Sequence, residues 1–363
     1  MAAGDGRPQI LIVPEQHSHS MERQLCAIGG SRVSLFAEVL SFTRLANRVF
    51  SVYGGLAAPA LDGGGRLLLL CAALRSVAPE LRVYQRPSRK PAFLSGLLAT
   101  VDELKTCRIT PEQLWTAGEE SGGGEGDKLR DLSLIYGAYE AMTARQGADP
   151  RDRLTRTAEK LKEHPWAQGM DLWLDGFTDF TPQQREVLRH LMRQADSLTV
   201  TLTCDHLEED EGGAGIFSPA RRTAAGLLRL AAQEGISCEV EHLVPDWDKR
   251  CEPLRQVEKQ LFAHGEAEPV SCQGRVELLG ALTPRSEVEQ AAAGIRRLLR
   301  TQGLRCRDIG VTARDLSQMA MLPTDMIERL PDGVHLRHDG HPGQAHPHPG
   351  DGGAGHGGQR LPL

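Results

Sequence analysis

Short apolar segments that alternate with helical segments constrain this chain more than any other feature. Gln9 to Val13 ("QILIV") and Val33 to Leu40 are each followed by a helical pattern, and "DLWLD" and "SLTVTLTC" repeat the arrangement much later in the chain. Strands joined by helical crossovers pair in parallel, because the crossover returns the chain to the same end of the sheet. The sequence therefore predicts an α/β fold with a parallel sheet.

The residues between these two parts carry only helical patterns, and we predict an all-helical insertion with the Gly/Glu-rich stretch Glu119 to Gly126 as a loop. A further strand–helix–strand pattern, "RVELLGAL", "RSEVEQAAAGIRRLLRTQ" and "DIGVTAR", predicts the incomplete start of a second α/β domain. After residue 330 the chain is rich in Gly, Pro and His and has few apolar residues, which predicts disorder. The predicted boundaries are 1–60 and 166–245 for the first α/β domain, 61–165 for the insertion, 246–273 for a linker, 274–330 for the second domain and 331–363 for the tail.

Composition limits the classes of function. A net charge of −6 and a pI near 6.1 argue against a protein that coats nucleic acid nonspecifically. The basic run from Arg82 to Lys90 is either a local DNA contact or a solvated face. The eight cysteines are scattered without a C-x-x-C pair, so we expect reduced thiols and no metal site. With no signal peptide and no apolar run long enough to span a membrane, we expect a soluble, cytoplasmic protein.

One predicted strand end has the layout of a nucleotide site. Leu172 to Gln184 reads "LWLDGFTDFTPQQ", in which an apolar strand runs into Asp175 and Thr181 begins a helix with a capping box. The motif G-x-x-x-x-G-K-[ST], which cradles phosphates in P-loop motors, occurs nowhere in the chain. That loop was either lost with a truncated N-terminus or never present. In both cases we expect weak ATP binding at most.

Five segments in this order resemble the AddB family of bacterial helicase/nuclease subunits: "ILIVPEQHSHSMERQL", "VLSFTRLANRVF", "LDGGGRLLLLCAAL", "LWLDGFTDFTPQQREVLRHLM" and "LTVTLTCDHLEEDEGGAGIFSPARRTAAGLLRLA". The resemblance extends from about residue 9 to residue 330. It implies a RecA-like parallel-sheet helicase domain with a helical insertion, and the incomplete start of a second RecA-like domain.

The resemblance also implies a nucleotide site that has lost its function. Related active helicases carry D-E-x-x-D-x-x-x-x-Q at this strand end, and Asp175, Asp179 and Gln184 match it, while Gly176 replaces the glutamate that positions water. Arg314 matches an arginine that meets the γ-phosphate in active relatives. The resemblance thus implies a vestigial ATP/Mg²⁺ site without a catalytic residue. An alternative is that Asp175 only caps a turn.

Five residues match the surface with which the family scans single-stranded DNA for a recombination hotspot: Gln16, Ser18, Phe42, Arg44 and Asn47. An aromatic ring can stack on an unpaired base, and Gln, Arg and Asn can pair with base edges. For Phe42, a place in the hydrophobic core is the alternative. The resemblance further implies a heterodimer with an AddA-like subunit that supplies translocation. The family's nuclease region, with its 4Fe–4S cluster and Mg²⁺, lies beyond this chain, and we assign it none of the eight cysteines.

Three hypotheses follow from these observations. The chain is the N-terminal portion of an AddB-like subunit in double-strand-break repair by homologous recombination, and it binds single-stranded DNA without a working motor. Alternatively, it is a nonfunctional product of a truncated or frame-shifted gene. The third hypothesis, an active P-loop helicase without its first residues, is disfavoured by Gly176.

Overall fold

A computed structural model describes residues 6–57, 59–85, 90–207, 215–243, 250–262, 269–272 and 274–313. The chain divides into two compact units, Met1–Leu243 and Val244–Leu363. Arg314, the 331–363 tail and residues 86–89 of the basic run from Arg82 to Lys90 lie outside the described residues.

The first unit contains a four-stranded parallel sheet in the order β2-β1-β3-β4. Its strands are β1 (Gln9–Ile12), β2 (Ala37–Leu40), β3 (Asp171–Leu174) and β4 (Ser197–Val200). The predicted parallel α/β fold is confirmed. The second strand is shorter than expected, because residues 31–35 form a turn of 3-10 helix before it.

The α-helices of the first unit are α1 (Ser18–Gly29), α2 (Phe42–Tyr53), α3 (Gly63–Val77), α4 (Pro91–Thr106), α5 (Pro111–Ser121), α6 (Gly123–Gln146), α7 (Arg153–Glu163), α8 (Pro182–Gln194) and α9 (Ser218–Gln233). Helices α1, α2 and α8 each follow a strand, as the alternating pattern predicts. Helices α3 to α6 come from the part of the chain that carries only helical patterns.

One hydrophobic core lies between the sheet and helices α2, α7 and α8. Ile12, Leu172 and Leu174 from the strands are fully buried there together with Leu161 of α7 and Leu191 of α8. Each such side chain stabilises the fold by about 1.5–3 kcal/mol relative to an exposed position. Helix α7, which the sequence places in the helical insertion, therefore packs in the core of the sheet.

A second core joins α3, α4, α5 and α6. Leu70, Ile135 and Tyr139 are its fully buried large side chains. The predicted loop from Glu119 to Gly126 is wrong, because α5 and α6 are interrupted there only by Gly122. The glycines have a packing reason: a Cβ atom on Gly118 would lie 2.9 Å from the Gly126 carbonyl oxygen. Small residues let the two helices cross closely. A rule based on composition alone takes the same glycines as the sign of a loop.

Buried charges connect this helical core to the start of α7. Lys105 Nζ on α4 lies 2.7 Å from Asp152 Oδ2, 2.5 Å from Glu140 Oε1 and 3.4 Å from Asp149 Oδ2. Arg66 Nε on α3 lies 3.0 Å from the other oxygen of Asp149. Burial alone would lower the pKa of Lys105, but Asp152 and Glu140 outweigh it and raise that pKa. Lys105 is therefore charged at neutral pH.

The second unit contains α10 (Glu252–Gln260) and α11 (Pro284–Thr301). Helix α10 lies within the segment predicted as a linker. Helix α11 is confirmed, but the two predicted strands beside it are not formed in the described part of 269–313. Leu278, in the first of them, is 99% exposed. An apolar segment becomes a strand only with a neighbour to pair with, and the described residues of this unit provide none. No described helix combines the length and the apolar character that a membrane span requires.

Candidate nucleic-acid interface and degenerate nucleotide site

The strand order places the candidate site between the carboxyl ends of β1 and β3. From β1 the chain crosses to β2 on one side, and from β3 it crosses to β4 on the other. Ligands of open α/β sheets bind at such a point, where the crossovers diverge and leave a crevice. Residues 14–17 follow β1 here, and residues 175–177 follow β3.

Gly176 has a backbone conformation that favours glycine. Its φ angle is +79°, and a Cβ atom on it would lie 3.4 Å from Pro14 Cδ and 4.0 Å from His17 Cδ2. An L residue in the left-handed region costs about 1–2 kcal/mol. A glutamate at position 176 would therefore have a strained backbone, and its side chain would start in contact with the turn that follows β1. The local backbone conformation therefore favours glycine at position 176. This is a structural reason for the glycine, in addition to the loss of the glutamate side chain.

Asp175 is engaged in holding strand ends together. Its carboxylate accepts a hydrogen bond from the Thr201 hydroxyl at the end of β4, and its backbone N–H donates to the Ile12 carbonyl over 3.1 Å. These contacts tie Asp175 to Ile12 at the end of β1 and to Thr201 just after β4. One oxygen of the Asp175 carboxylate is thus hydrogen-bonded to the segment that follows β4.

Gln184 is engaged as well, because the predicted capping box at the start of α8 is present. The Thr181 hydroxyl accepts from the Gln184 N–H over 3.2 Å, and Gln184 Oε1 accepts from the Thr181 N–H over 2.8 Å. Asp179 is exposed in the loop between β3 and α8. The described residues contain no group of three carboxylate, imidazole or thiol ligands that could hold a metal ion.

The segment after β4 is joined to α9 by an ion pair. Arg221 of α9 donates from Nε to Asp205 Oδ1 over 2.9 Å and from Nη2 to Asp205 Oδ2 over 2.5 Å. These hydrogen bonds lower the pKa of Asp205 to about 2. The aspartate stays ionised and binds α9, so this segment anchors a helix.

The five predicted DNA contacts divide by exposure. Gln16, Arg44 and Asn47 are exposed, whereas Ser18 is buried at the start of α1. Phe42 is only 6% exposed, and its ring lies 5.6 Å from that of Phe177 and 6.4 Å from that of Phe180. A base-stacking platform needs an open ring face, so the structure favours the core interpretation for Phe42.

The exposed side of α2 carries the remaining polar candidates. Ser41 caps the helix by accepting from the Arg44 N–H over 3.2 Å. The Arg44 guanidinium lies 2.6 Å from Glu22 Oε1, with both side chains more than a third exposed. Asn47 Oδ1 accepts from Arg153 of α7 over 3.3 Å. The sequence alone does not single out Arg153. It lies 106 positions after Asn47, and no spacing rule relates residues so far apart.

Comparisons with known proteins agree on one family. The family model described as "ADDB, N-terminal" matches residues 1–261. Proteins named as subunits of an ATP-dependent helicase/deoxyribonuclease are similar to the chain: that of Thermoanaerobacter sp. (strain X514) is 35% identical over 320 residues, and that of Desulforudis audaxviator is 36% identical over 323 residues. In each case the match covers 87% of this chain and 28% of the relative. The chain thus spans little more than a quarter of these relatives' length.

Proposed function

The chain belongs to the AddB N-terminal family, and from that premise we propose that it binds single-stranded DNA as a motor-silent module of a helicase/nuclease complex. Its relatives are named as subunits of an ATP-dependent helicase/deoxyribonuclease. In this proposal an AddA-like subunit moves the DNA, and this chain follows the strand that emerges, in bacterial double-strand-break repair by homologous recombination. We assign no cofactor to the chain.

The backbone at Gly176 carries the motor-silent part of the proposal. Phosphoryl transfer depends on a few placed groups, of which a carboxylate that orients water is one. Here the position has a φ angle of +79° and lies against Pro14, which is unfavourable for a glutamate. One oxygen of Asp175 accepts a hydrogen bond from Thr201, and the side-chain oxygen of Gln184 accepts one from Thr181. These contacts favour a structural role for the residues that match the nucleotide site of active relatives.

The exposed polar residues support the DNA-binding part. Gln16 lies in the turn after β1, and Arg44 and Asn47 lie on the outer side of α2. Side chains of these three types can pair with phosphates and with base edges. Exposed ion pairs contribute only about 0–1 kcal/mol, so the Arg44–Glu22 pair can open for DNA at little cost. Ser18 and Phe42 are buried and have no part in this contact.

Binding of labelled oligothymidylate by the purified chain tests this proposal. We expect saturable binding that weakens with salt, and Arg44→Gln should weaken it about tenfold, because a charge-assisted hydrogen bond contributes about 1.5–3 kcal/mol and 1.4 kcal/mol is tenfold. Fluorescence anisotropy across a salt series measures both effects.

Arg193→Gln is the matched control for charge. Arg193 lies in the last turn of α8, and Asp196 just beyond it donates to the carbonyl of Met170, which precedes β3. It is therefore at the amino ends of the strands, away from the candidate site, and its loss should leave binding unchanged. Failure of the wild-type chain to bind at any salt concentration contradicts the proposal and favours the hypothesis of a nonfunctional fragment.

A further inference from the structure

A pocket lies between α2, α7 and two connecting segments of the first unit. It holds about 430 Å³ of empty space, part of it open to solvent, and is lined by Asn47 and Phe50 on one side and by Arg153 and Arg156 on another. The connecting segments are held together by backbone hydrogen bonds at Ala148, which donates to the Pro59 carbonyl over 2.9 Å and accepts from the Leu61 N–H over 3.0 Å. The pocket walls are thus tied by contacts distant in sequence.

The two arginines are positioned by their neighbours. The Arg156 guanidinium lies 5.2 Å from the centroid of the Phe50 ring, a cation–π geometry. A Cβ atom on Gly55 would lie 3.1 Å from that ring and 3.5 Å from Arg156 Nη2, so the glycine lets the backbone approach both groups closely. Arg153 Nη1 donates to Asn47 Oδ1 over 3.3 Å.

Among the residues that the structure describes, neither arginine has a carboxylate partner. Over the described ranges, no Asp or Glu oxygen lies within 4.0 Å of the Arg153 or Arg156 guanidinium nitrogens, whereas the nearby Arg44 and Arg48 have Glu22 and Glu38. The two guanidinium groups therefore have donors available to an anion.

The acid in the pocket wall has partners other than the two arginines. Asp149 Oδ1 lies 3.0 Å from Arg66 Nε and 2.9 Å from the Arg151 N–H, and its Oδ2 lies 2.8 Å from the Tyr139 hydroxyl. Lys105 lies 3.4 Å from Oδ2 as well. These contacts hold the Asp149 carboxylate away from the two arginines. Asp149 therefore leaves the arginines open to an anion.

We propose that this pocket binds a backbone phosphate of single-stranded DNA, with Arg153 and Arg156 as its donors. Guanidinium groups match phosphate oxygens in bidentate geometry. Asn47, next to Arg153, is one helical turn from Arg44, about 4.5 Å along α2. A strand on the outer side of α2 thus reaches the pocket. This inference rests on the proposed function and extends its surface to α7.

Arg153→Gln and Arg156→Gln, singly and combined in the full chain, test the pocket. We expect the combined variant to bind a labelled 20-mer of oligothymidylate roughly tenfold more weakly at low salt. Because both arginines contact one phosphate, the combined variant should reduce the slope of log K against log salt by about 0.7. Fluorescence anisotropy measures the affinity and the slope. Arg193→Gln removes the same charge elsewhere and should change neither.

Several results would contradict the proposal that this pocket binds a backbone phosphate. If the wild-type chain binds and Arg44→Gln weakens binding, unchanged affinity and slope in the combined variant overturn this inference alone. Full competition by millimolar dTMP would identify a free-nucleotide site in place of the strand. A wild-type chain that binds no DNA overturns the proposed function and this inference together. If the combined variant unfolds, Arg156→Lys keeps the charge without the planar fork, and its slope should be retained while its affinity falls.

Discussion

Replacing Lys105 by methionine is expected to lower the free energy of unfolding of the first unit by about 3–5 kcal/mol, the usual cost of breaking a buried ion pair by removing one partner. The Lys105 side chain is 1% exposed and touches Asp152, Glu140 and Asp149. Methionine fills the space of the stem and leaves Asp152 and Glu140 without their cation, whereas Asp149 keeps Arg66. Urea unfolding, followed by far-ultraviolet circular dichroism, measures the loss.

Lys162→Met is the matched control. Lys162 is an exposed residue of α7, so its replacement should change the free energy of unfolding by less than about 0.5 kcal/mol. A loss below about 1 kcal/mol in Lys105→Met would show that the cluster contributes little, as surface ion pairs do. The sign with pH also follows: the raised pKa of Lys105 means that its contribution is present at neutral pH and is lost only in strong alkali.

Phe42→Ala should also destabilise the first unit by about 3–5 kcal/mol, because it removes a large ring from a packed core. The ring is 6% exposed and meets Phe177 and Phe180 edge-on, at the junction of α2 with the loop after β3. Phe42→Leu keeps most of the volume and should fold. Its affinity for oligothymidylate, measured by anisotropy, should equal that of the wild-type chain.

The outcome that would contradict this account of Phe42 is specific. Stacking of an aromatic ring on a base contributes about 1–3 kcal/mol. If Phe42→Leu unfolds at nearly the same urea concentration as the wild-type chain yet binds DNA tenfold or more weakly, the ring must become uncovered when DNA binds. The DNA contact predicted from the family resemblance would then be restored.

The parts of this fold that sequence predicts are those set by local chemistry. The alternation of apolar and helical segments predicts the parallel sheet, and Thr181 with Gln184 predicts the start of α8, because both signals depend on neighbours within one element. The same reasoning fails for Gly118 and Gly126, whose small size serves the crossing of α5 with α6. Composition alone cannot separate a glycine for packing from a glycine for a loop.

The candidate site shows the same division. Asp175 and Gly176 are found from the strand end, but their partners Thr201 and Pro14 come from other strands. The burial of Phe42 and the approach of Arg153 to Asn47 depend on which elements pack together, so single-residue patterns do not contain them. Long-range packing thus decides which candidate residues are available to a ligand.

The central claim is that this helicase-like frame has no working motor, and hydrolysis of ATP by the purified chain in the presence of single-stranded DNA tests it most directly. The account predicts phosphate release at the background rate, identical in wild type and in Asp175→Ala, because Gly176 provides no carboxylate and Asp175 is bound to Thr201. DNA-stimulated hydrolysis that follows the protein through purification and disappears in Asp175→Ala would contradict it.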